Sequence, residues 1–103
     1  MYTTYKQQNN NGKTMQSTKT DKLLLEICYW MNTATNNERK YQNTNHPSVE
    51  IYHAQRINHC TVNLIEFLTE IKKQNDLTDG NIDFLQHVKE TIKRFALEYS
   101  WAR

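Results

Sequence analysis

The sequence predicts an all-α protein: a small three-helix bundle dominated by a long antiparallel helical hairpin, with a flexible N-terminal arm. The 103 residues include only two glycines and one proline, too few for the many tight turns of an all-β chain. Apolar residues recur at alternating steps of three and four in three separate stretches, which is the spacing of one helix face. A chain of this length forms one domain, and we place its helical part at residues 20–103.

Residues 1–19 are predicted to form a polar, basic arm. Residues 1–20 contain no Val, Ile, Leu or Phe, so this segment cannot offset the entropy of ordering by burying apolar surface. The arm carries Lys6, Lys13 and Lys19 and no acidic residue. Through Lys22 the chain has four lysines and one aspartate, whereas the remainder has nine basic and ten acidic residues. The positive charge is therefore concentrated in the arm and beside it.

The first helix is predicted over residues 21–34, with Thr20 or Asp21 as its N-cap. At 100° per residue, the apolar side chains of this stretch fill an arc of about 160°. They are Leu23, Leu24, Ile27, Cys28, Trp30, Met31 and Ala34. A strand is the alternative for so short an apolar run, but the length and the Asn/Thr-rich exit favour a helix. Residues 35–47 are predicted to form a loop with at most one helical turn, at 38–41.

The second and third helices, at residues 48–75 and 80–101, form the predicted hairpin. Ser48 is the expected N-cap of the second helix, because Pro47 disfavours a helical conformation for His46, the residue before it. Thr78 or Asp79 is the expected cap of the third. A second apolar stripe on the second helix, formed by Ile51, Val62 and Ile65, indicates two packing neighbours. The side chains expected to be most buried are Ile57, Leu64, Phe67, Leu85, Val88, Ile92 and Phe95.

Residues that could carry chemistry do not form a recognisable set. Glu50 and His53 match the Glu-x-x-His step of di-iron bundles, but His87 and Glu90, in reversed order, lie on the outward side of their helix. We therefore expect no metal site, and a partly buried His53 with a hydrogen-bond partner. The two glycines cannot build a glycine-rich phosphate loop. We expect no cofactor, no catalytic residues and no enzyme activity.

Two apolar pairs with i,i+4 spacing lie outside the predicted core faces: Leu25 with Tyr29, and Leu97 with Trp101. Exposed apolar patches mark interaction sites, and Tyr and Trp are enriched at binding hot spots. We therefore hypothesise a non-catalytic interaction protein that binds a larger protein, a ribonucleoprotein complex or a second copy of itself as a homodimer. The alternative interpretation is that the three-helix core covers these side chains.

A second functional hypothesis is a nucleic-acid-binding accessory factor. In it, Lys6, Lys13, Lys19 and Lys22 contact phosphates through the arm. The nucleic-acid and protein-binding hypotheses differ in salt dependence, because phosphate contacts weaken steeply as salt rises.

Composition suggests a source and a location. Asn, Lys and Ile are common whereas Gly, Ala and Pro are scarce, a bias typical of a low-GC genome such as that of a phage or a mobile element. The small size then favours an inhibitor of a host defence complex, anti-CRISPR-like, as the most specific form of the protein-binding hypothesis. Residues 1–20 contain no apolar signal-peptide core, and no run approaches the roughly 18 apolar residues of a membrane span. We expect a cytoplasmic protein that does not bind membranes.

Overall fold

The computed structural model describes residues 18–103, which form three long helices. α1 spans Lys19–Gln42, α2 spans Pro47–Ile71 and α3 spans Asp79–Tyr99, and a short 3₁₀ helix, Ser100–Ala102, follows α3 directly. Residues 18–103 contain no strand, so the predicted all-α bundle is confirmed. The predicted arm lies outside the described residues up to residue 17.

α2 is the central helix, and it packs against both α1 and α3. Residues 43–46 join α1 to α2 and residues 72–78 join α2 to α3, so consecutive helices run antiparallel. The first core cluster lies where α1 and α3 begin and α2 ends, and contains Leu23, Ile27, Leu64, Leu68, Ile71, Leu85 and Val88. The second core cluster lies at the other end, and contains Ala34, Ala54, Ile57, Cys60, Phe95, Tyr99 and Ala102. Trp30 packs against both clusters and connects them.

α1 extends eight residues beyond its predicted end, because residues 35–42 are helical and do not form a loop. The Thr35 hydroxyl donates to the carbonyl oxygen of Met31 at 2.9 Å. Such bonds satisfy polar side chains within the helix itself. Ala34 and Glu38 are buried and Tyr41 is half-buried, so one face of this segment packs on the bundle. α1 is thus as long as its neighbours, and the α1–α2 hairpin is more extensive than the α2–α3 hairpin.

The helix starts follow capping chemistry, with small shifts from the predicted positions. Thr18 caps α1, since its Oγ1 accepts from the backbone N–H of Asp21 at 3.0 Å while the Asp21 carboxylate accepts from the N–H of Thr18. This is a capping box, and it starts α1 two residues earlier than predicted. α2 begins at Pro47 and not after Ser48, because proline is preorganised for the first helical position. Thr78 caps α3 as predicted.

Burial agrees with most of the predicted core. Five of its seven residues are buried, but Phe67 and Ile92 are only partly buried, at the edge of the first core cluster. Cys28 lies on the predicted core arc and yet is exposed, whereas Cys60 is buried. The second stripe of α2 is also uncovered: Ile51, Val62 and Ile65 are 44%, 56% and 48% exposed. α2 therefore meets its neighbours through its other face. We term this face the main stripe, and its buried residues are Ala54, Ile57, Cys60, Thr61, Leu64, Leu68 and Ile71.

We predict that Phe95→Ala destabilises the bundle much more than Phe67→Ala. Phe95 is 1% exposed in the second core cluster, so its truncation leaves a cavity and costs about 3–5 kcal/mol of unfolding free energy. Phe67 lies at the edge of the core, where the vacated space opens to solvent. Urea unfolding of the two variants measures the difference, and equal losses would contradict this assignment of the core.

Candidate partner-binding surfaces

Both predicted partner-binding residues at the end of α3 are exposed. Leu97 is 85% exposed and Trp101 is 57% exposed. The indole Nε1 of Trp101 donates to the carbonyl oxygen of Glu98 at 2.9 Å, and its ring centroid lies 6.5 Å from that of Tyr41 on α1. Trp101 is therefore held in one orientation while much of its ring faces solvent. We term Leu97, Trp101 and Tyr41 the α3-end surface.

The α3-end surface is supported by a polar network centred on Glu38. Arg94 donates from Nη1 to Glu38 Oε2 at 2.7 Å and from Nη2 to Oε1 at 2.9 Å, a bidentate arrangement. The Tyr99 hydroxyl donates to Glu38 Oε2 at 2.7 Å. Arg94 also donates to Glu98 at 3.1 Å. Because Glu38 belongs to α1 and its donors belong to α3, the network fixes the end of α3 against the second half of α1.

Charge and burial stabilise one protonation state of this network. The Arg94 guanidinium, hydrogen-bonded to Glu38, lowers the pKa of that carboxyl group, and the Tyr99 hydroxyl adds to the effect against the opposing influence of burial. Burial, followed by the hydrogen bond to Glu38, raises the pKa of Tyr99. At neutral pH the network therefore consists of a carboxylate, a guanidinium cation and a neutral phenol. It positions the surrounding side chains, and both carboxylate oxygens of Glu38 are already hydrogen-bonded.

The aromatic side chains beside the network extend this support to the surface. The rings of Tyr41 and Tyr99 meet edge to face with centroids 5.2 Å apart, a favourable geometry for aromatic pairs. Tyr99 is buried, whereas Tyr41 is half-buried and contacts the exposed Trp101. The three rings therefore form a continuous path from the second core cluster to solvent.

Leu25 and Tyr29 form a separate exposed surface on α1, 67% and 58% exposed. Lys22 and Glu26 lie beside them on the same face. Leu25 is adjacent in the chain to the first core cluster, whereas Leu97 is adjacent to the second. The two predicted pairs consequently lie towards opposite ends of the bundle, and the fold does not join them into one patch.

Two of the four lysines in the nucleic-acid hypothesis belong to the described residues. Lys19 and Lys22 are exposed at the start of α1, on either side of the capping Asp21. Lys6 and Lys13 lie outside the described residues. The described part of this predicted site is therefore two lysines near one aspartate.

A groove between α2 and α3 is the surface that sequence reasoning missed. Its lining residues on α2 are Asn58, His59, Thr61, Val62, Ile65 and Leu68, and those that follow α2 are Lys72, Leu77, Ile82, Leu85, Gln86, Lys89, Ala96, Ser100 and Arg103. Ile65, Leu68 and Lys72 are spaced three and four apart, so they share one face of α2. The lining belongs to two pockets that lie end to end along this face of α2, and we term them together the α2–α3 groove. The sequence signal that could have revealed this groove was the second apolar stripe of α2, which was interpreted as the contact face for a neighbouring helix.

The histidine and metal predictions have different outcomes. Nδ1 of the half-buried His53 lies 3.0 Å from Oδ1 of Asn37, so the predicted hydrogen-bonded histidine is confirmed. Because an amide oxygen only accepts, Nδ1 carries the proton. Within residues 18–103, no group of three His, Cys, Asp or Glu side chains could hold a metal ion. None of the helices in this range is both long and apolar enough to cross a membrane.

We predict that Glu38→Gln lowers the free energy of unfolding by about 2 kcal/mol, since it removes charge-assisted hydrogen bonds and sets an amide N–H₂ against the donors of Arg94. The 46% exposure of the Arg94 side chain keeps the loss below that of a fully buried pair. Glu90→Gln is the matched control, because Glu90 is 58% exposed and lies 3.8 Å from Lys93. Equal small losses in both variants by urea unfolding would contradict a supporting role for Glu38.

The same network makes stability depend on pH. The pKa of Glu38 is lower in the folded chain, so the unfolded chain binds more protons between the two pKa values and stability rises with pH there. The contribution is complete above the unfolded-state pKa and is lost as pH falls through the folded-state pKa. Thermal melts across the acid range should therefore show a smaller loss of stability on acidification in Glu38→Gln than in the wild type. Parallel curves would contradict the assigned shift.

Comparisons with protein-family models, curated proteins and solved structures find no match for this chain.

Proposed function

We propose that this chain is a non-catalytic helical protein that binds a larger protein or ribonucleoprotein complex, or a second copy of itself, through the α3-end surface. The observation that carries the proposal is the state of Trp101, which is 57% exposed although its indole N–H is bonded and its ring contacts Tyr41. A large aromatic ring that is already oriented loses little conformational entropy when a partner covers it.

The surroundings of Trp101 fit a binding hot spot. Leu97 is more exposed than any other large hydrophobic side chain among residues 18–103, and it lies four residues away on the adjoining helix. Trp and Tyr are enriched among residues whose truncation costs most binding energy, and apolar neighbours exclude water around them. The Glu38–Arg94 pair joins α1 to α3 next to this surface, which favours a binding surface that keeps one shape when a partner binds.

Leu25 and Tyr29 supply a second apolar contact within the same proposal. Because this surface lies towards the opposite end of the bundle, one large partner or two separate partners could occupy the two surfaces. The most specific form of the proposal is an anti-CRISPR-like inhibitor of a host defence complex, carried by a phage or a mobile element and acting in the cytoplasm. What supports this form is the composition of the chain, in which Asn, Lys and Ile are common and Gly, Ala and Pro are scarce.

We predict that Trp101→Ala abolishes association while leaving the fold intact. Exposed substitutions usually change stability by less than about 0.5 kcal/mol, and removal of the ring from beside Tyr41 adds little to that. A hot-spot truncation costs about 2 kcal/mol or more in binding. Thermal melting, sedimentation of the purified chain and pull-down from the native host should be measured on the same variant.

Tyr52→Ala is the matched control, because Tyr52 is 55% exposed on α2 and belongs to neither proposed surface. It should leave both melting and association unchanged. If Trp101→Ala lowers the melting temperature as strongly as a core truncation, Trp101 is a core residue. If it changes neither quantity, the α3-end surface is not the binding site.

Nucleic-acid binding is the second candidate, because Lys22 shares an exposed face of α1 with Tyr29. Lysines that contact phosphates together with an aromatic ring that stacks on a base form a common single-strand binding arrangement. Lys6, Lys13 and Lys19 would extend the contact along the chain. In this proposal Tyr29 contacts a base and not a protein.

We predict that, if this second candidate is correct, binding of a labelled single-stranded oligonucleotide weakens steeply with salt. Replacing Lys6, Lys13, Lys19 and Lys22 by Gln should then reduce the slope of log affinity against log salt by about 0.7 for each phosphate that the variant no longer neutralises. The matched control is replacement by Gln of four other exposed cations, Arg39, Lys40, Lys73 and Lys93. An unchanged slope in the first variant would exclude these lysines as the contact.

A further inference from the structure

We propose that the α2–α3 groove binds one amphipathic α-helix of a partner protein, and that this helix carries Asp or Glu beside its apolar stripe. The inference rests on the proposed function only in assuming that the chain binds a protein. It assigns a different surface and names the chemistry of the ligand.

The shape of the groove fits a helix. Its lining follows α2 from Asn58 to Leu68 and α3 from Ile82 to Ala96, about 15 Å and 21 Å of helix at 1.5 Å per residue, and continues at the ends to Lys72 and Ser100. Two antiparallel helices with an open apolar strip between them offer the position that an additional helix occupies in a four-helix bundle. An occupant of four to five turns would match this length.

The groove is apolar where a helix would make contact. Val62, Ile65 and Ile82 are 56%, 48% and 52% exposed, and they lie on the strip with the small residue Ala96 between the ends. Such spacing suits the i, i+3, i+4 and i+7 anchors of a helix in a groove. Exposed β-branched side chains in a row are not needed for the core, which the main stripe of α2 already fills.

The charge of the groove selects the ligand. Its charged lining residues are Lys72, Lys89 and Arg103, and no Asp or Glu side chain is among the described lining. None of the three cations forms an ion pair within residues 18–103. Residues 18–103 as a whole carry eleven basic and eleven acidic residues, so this excess of cations is local. Exposed Glu66 lies one turn after Val62 on α2, so three cations and one acid flank the strip, and this net positive charge is complementary to a helix with acidic flanks.

Two other occupants fit less well. A second copy of this chain would bring another Lys72, Lys89 and Arg103 towards the same strip if the same faces paired, and like charges would meet. Nucleic acid would use the cations but leave Val62 and Ile65 without a matching surface. Among the described lining, His59 is the only ring on which a base could stack.

The test is a titration of the full chain into a labelled helical peptide of about 18 residues, a length that spans the groove. The peptide carries Leu at i, i+3, i+4 and i+7 with Glu on both sides, and a matched peptide has Lys in place of Glu. We expect the Glu peptide to bind at least tenfold more tightly than the Lys peptide. The double substitution Lys72→Glu and Lys89→Glu should reverse this preference.

Variants of the groove floor provide the second part of the test. Ile65→Asp and Val62→Asp should each abolish binding of the Glu peptide, whereas Tyr52→Asp, at an α2 side chain of similar exposure that lies outside the groove and outside both proposed surfaces, should not. Because the replaced side chains are about half exposed, thermal melts should stay close to the wild type. Trp101→Ala should retain peptide binding, so failure of this inference and failure of the proposed function are distinguishable.

Four results would overturn the inference. One is equal affinity for the Glu and Lys peptides, and another is retained binding in both groove-floor variants. A third is a homodimer that Ile65→Asp converts to monomer, which would make the occupant a second copy. The fourth is displacement of the Glu peptide by a single-stranded oligonucleotide that no longer binds the Lys72→Glu, Lys89→Glu variant.

Discussion

The bidentate pair of Glu38 and Arg94, completed by the Tyr99 hydroxyl, is the interaction on which the end of the bundle around the second core cluster depends. A glutamate that is 9% exposed needs its charge compensated, and α3 supplies both donors. α1 meets this requirement by continuing through residues 35–42, where Glu38, Arg39, Lys40 and Gln42 are good helix formers. Once α1 reaches Glu38, the following turn brings Tyr41 against Tyr99 and the end of α3 has a fixed support.

This support links the core to the exposed α3-end surface. Without it, the last turn of α3 and the following 3₁₀ helix would contact the bundle mainly through Tyr99 and Ala102, both in the second core cluster. Glu98 contributes twice, because its carboxylate accepts from Arg94 and its carbonyl oxygen accepts from Trp101. The orientation of Trp101 therefore follows from the same network that buries Glu38. A buried polar group here determines the shape of a surface as well as the length of a helix.

The positions of the helices could be predicted from the sequence wherever apolar residues recur at helical spacing. The 3-4 pattern locates α2 and α3 closely, and Thr78 is a correct cap because capping depends on neighbouring residues alone. The pattern fails after Ala34, because Glu38 is a core-facing residue that no apolar scale counts. Its donor Arg94 is 56 positions away, so local analysis cannot pair them. Helical geometry placed Leu25, Tyr29, Leu97 and Trp101 away from the core arcs but could not decide whether the bundle covers them, and the fold leaves all four exposed.

The α2–α3 groove exists because α2 has two apolar stripes while its neighbouring helices cover only one of them, and this is apparent only in the folded bundle. The second stripe on α2 was identified correctly, but the inference that a neighbouring helix packs on it was wrong. Periodicity shows which residues share a face of a helix, but it does not show whether another element covers that face. Two helices pack on the main stripe, and residues 18–103 contain no further helix that could cover the second stripe. The cations along that strip are then informative, because lysine and arginine keep an uncovered apolar face soluble while favouring an acidic partner. Helical spacing thus identifies the apolar residues that share the second stripe of α2, and the cations beside this stripe indicate the chemistry of the partner that would cover it.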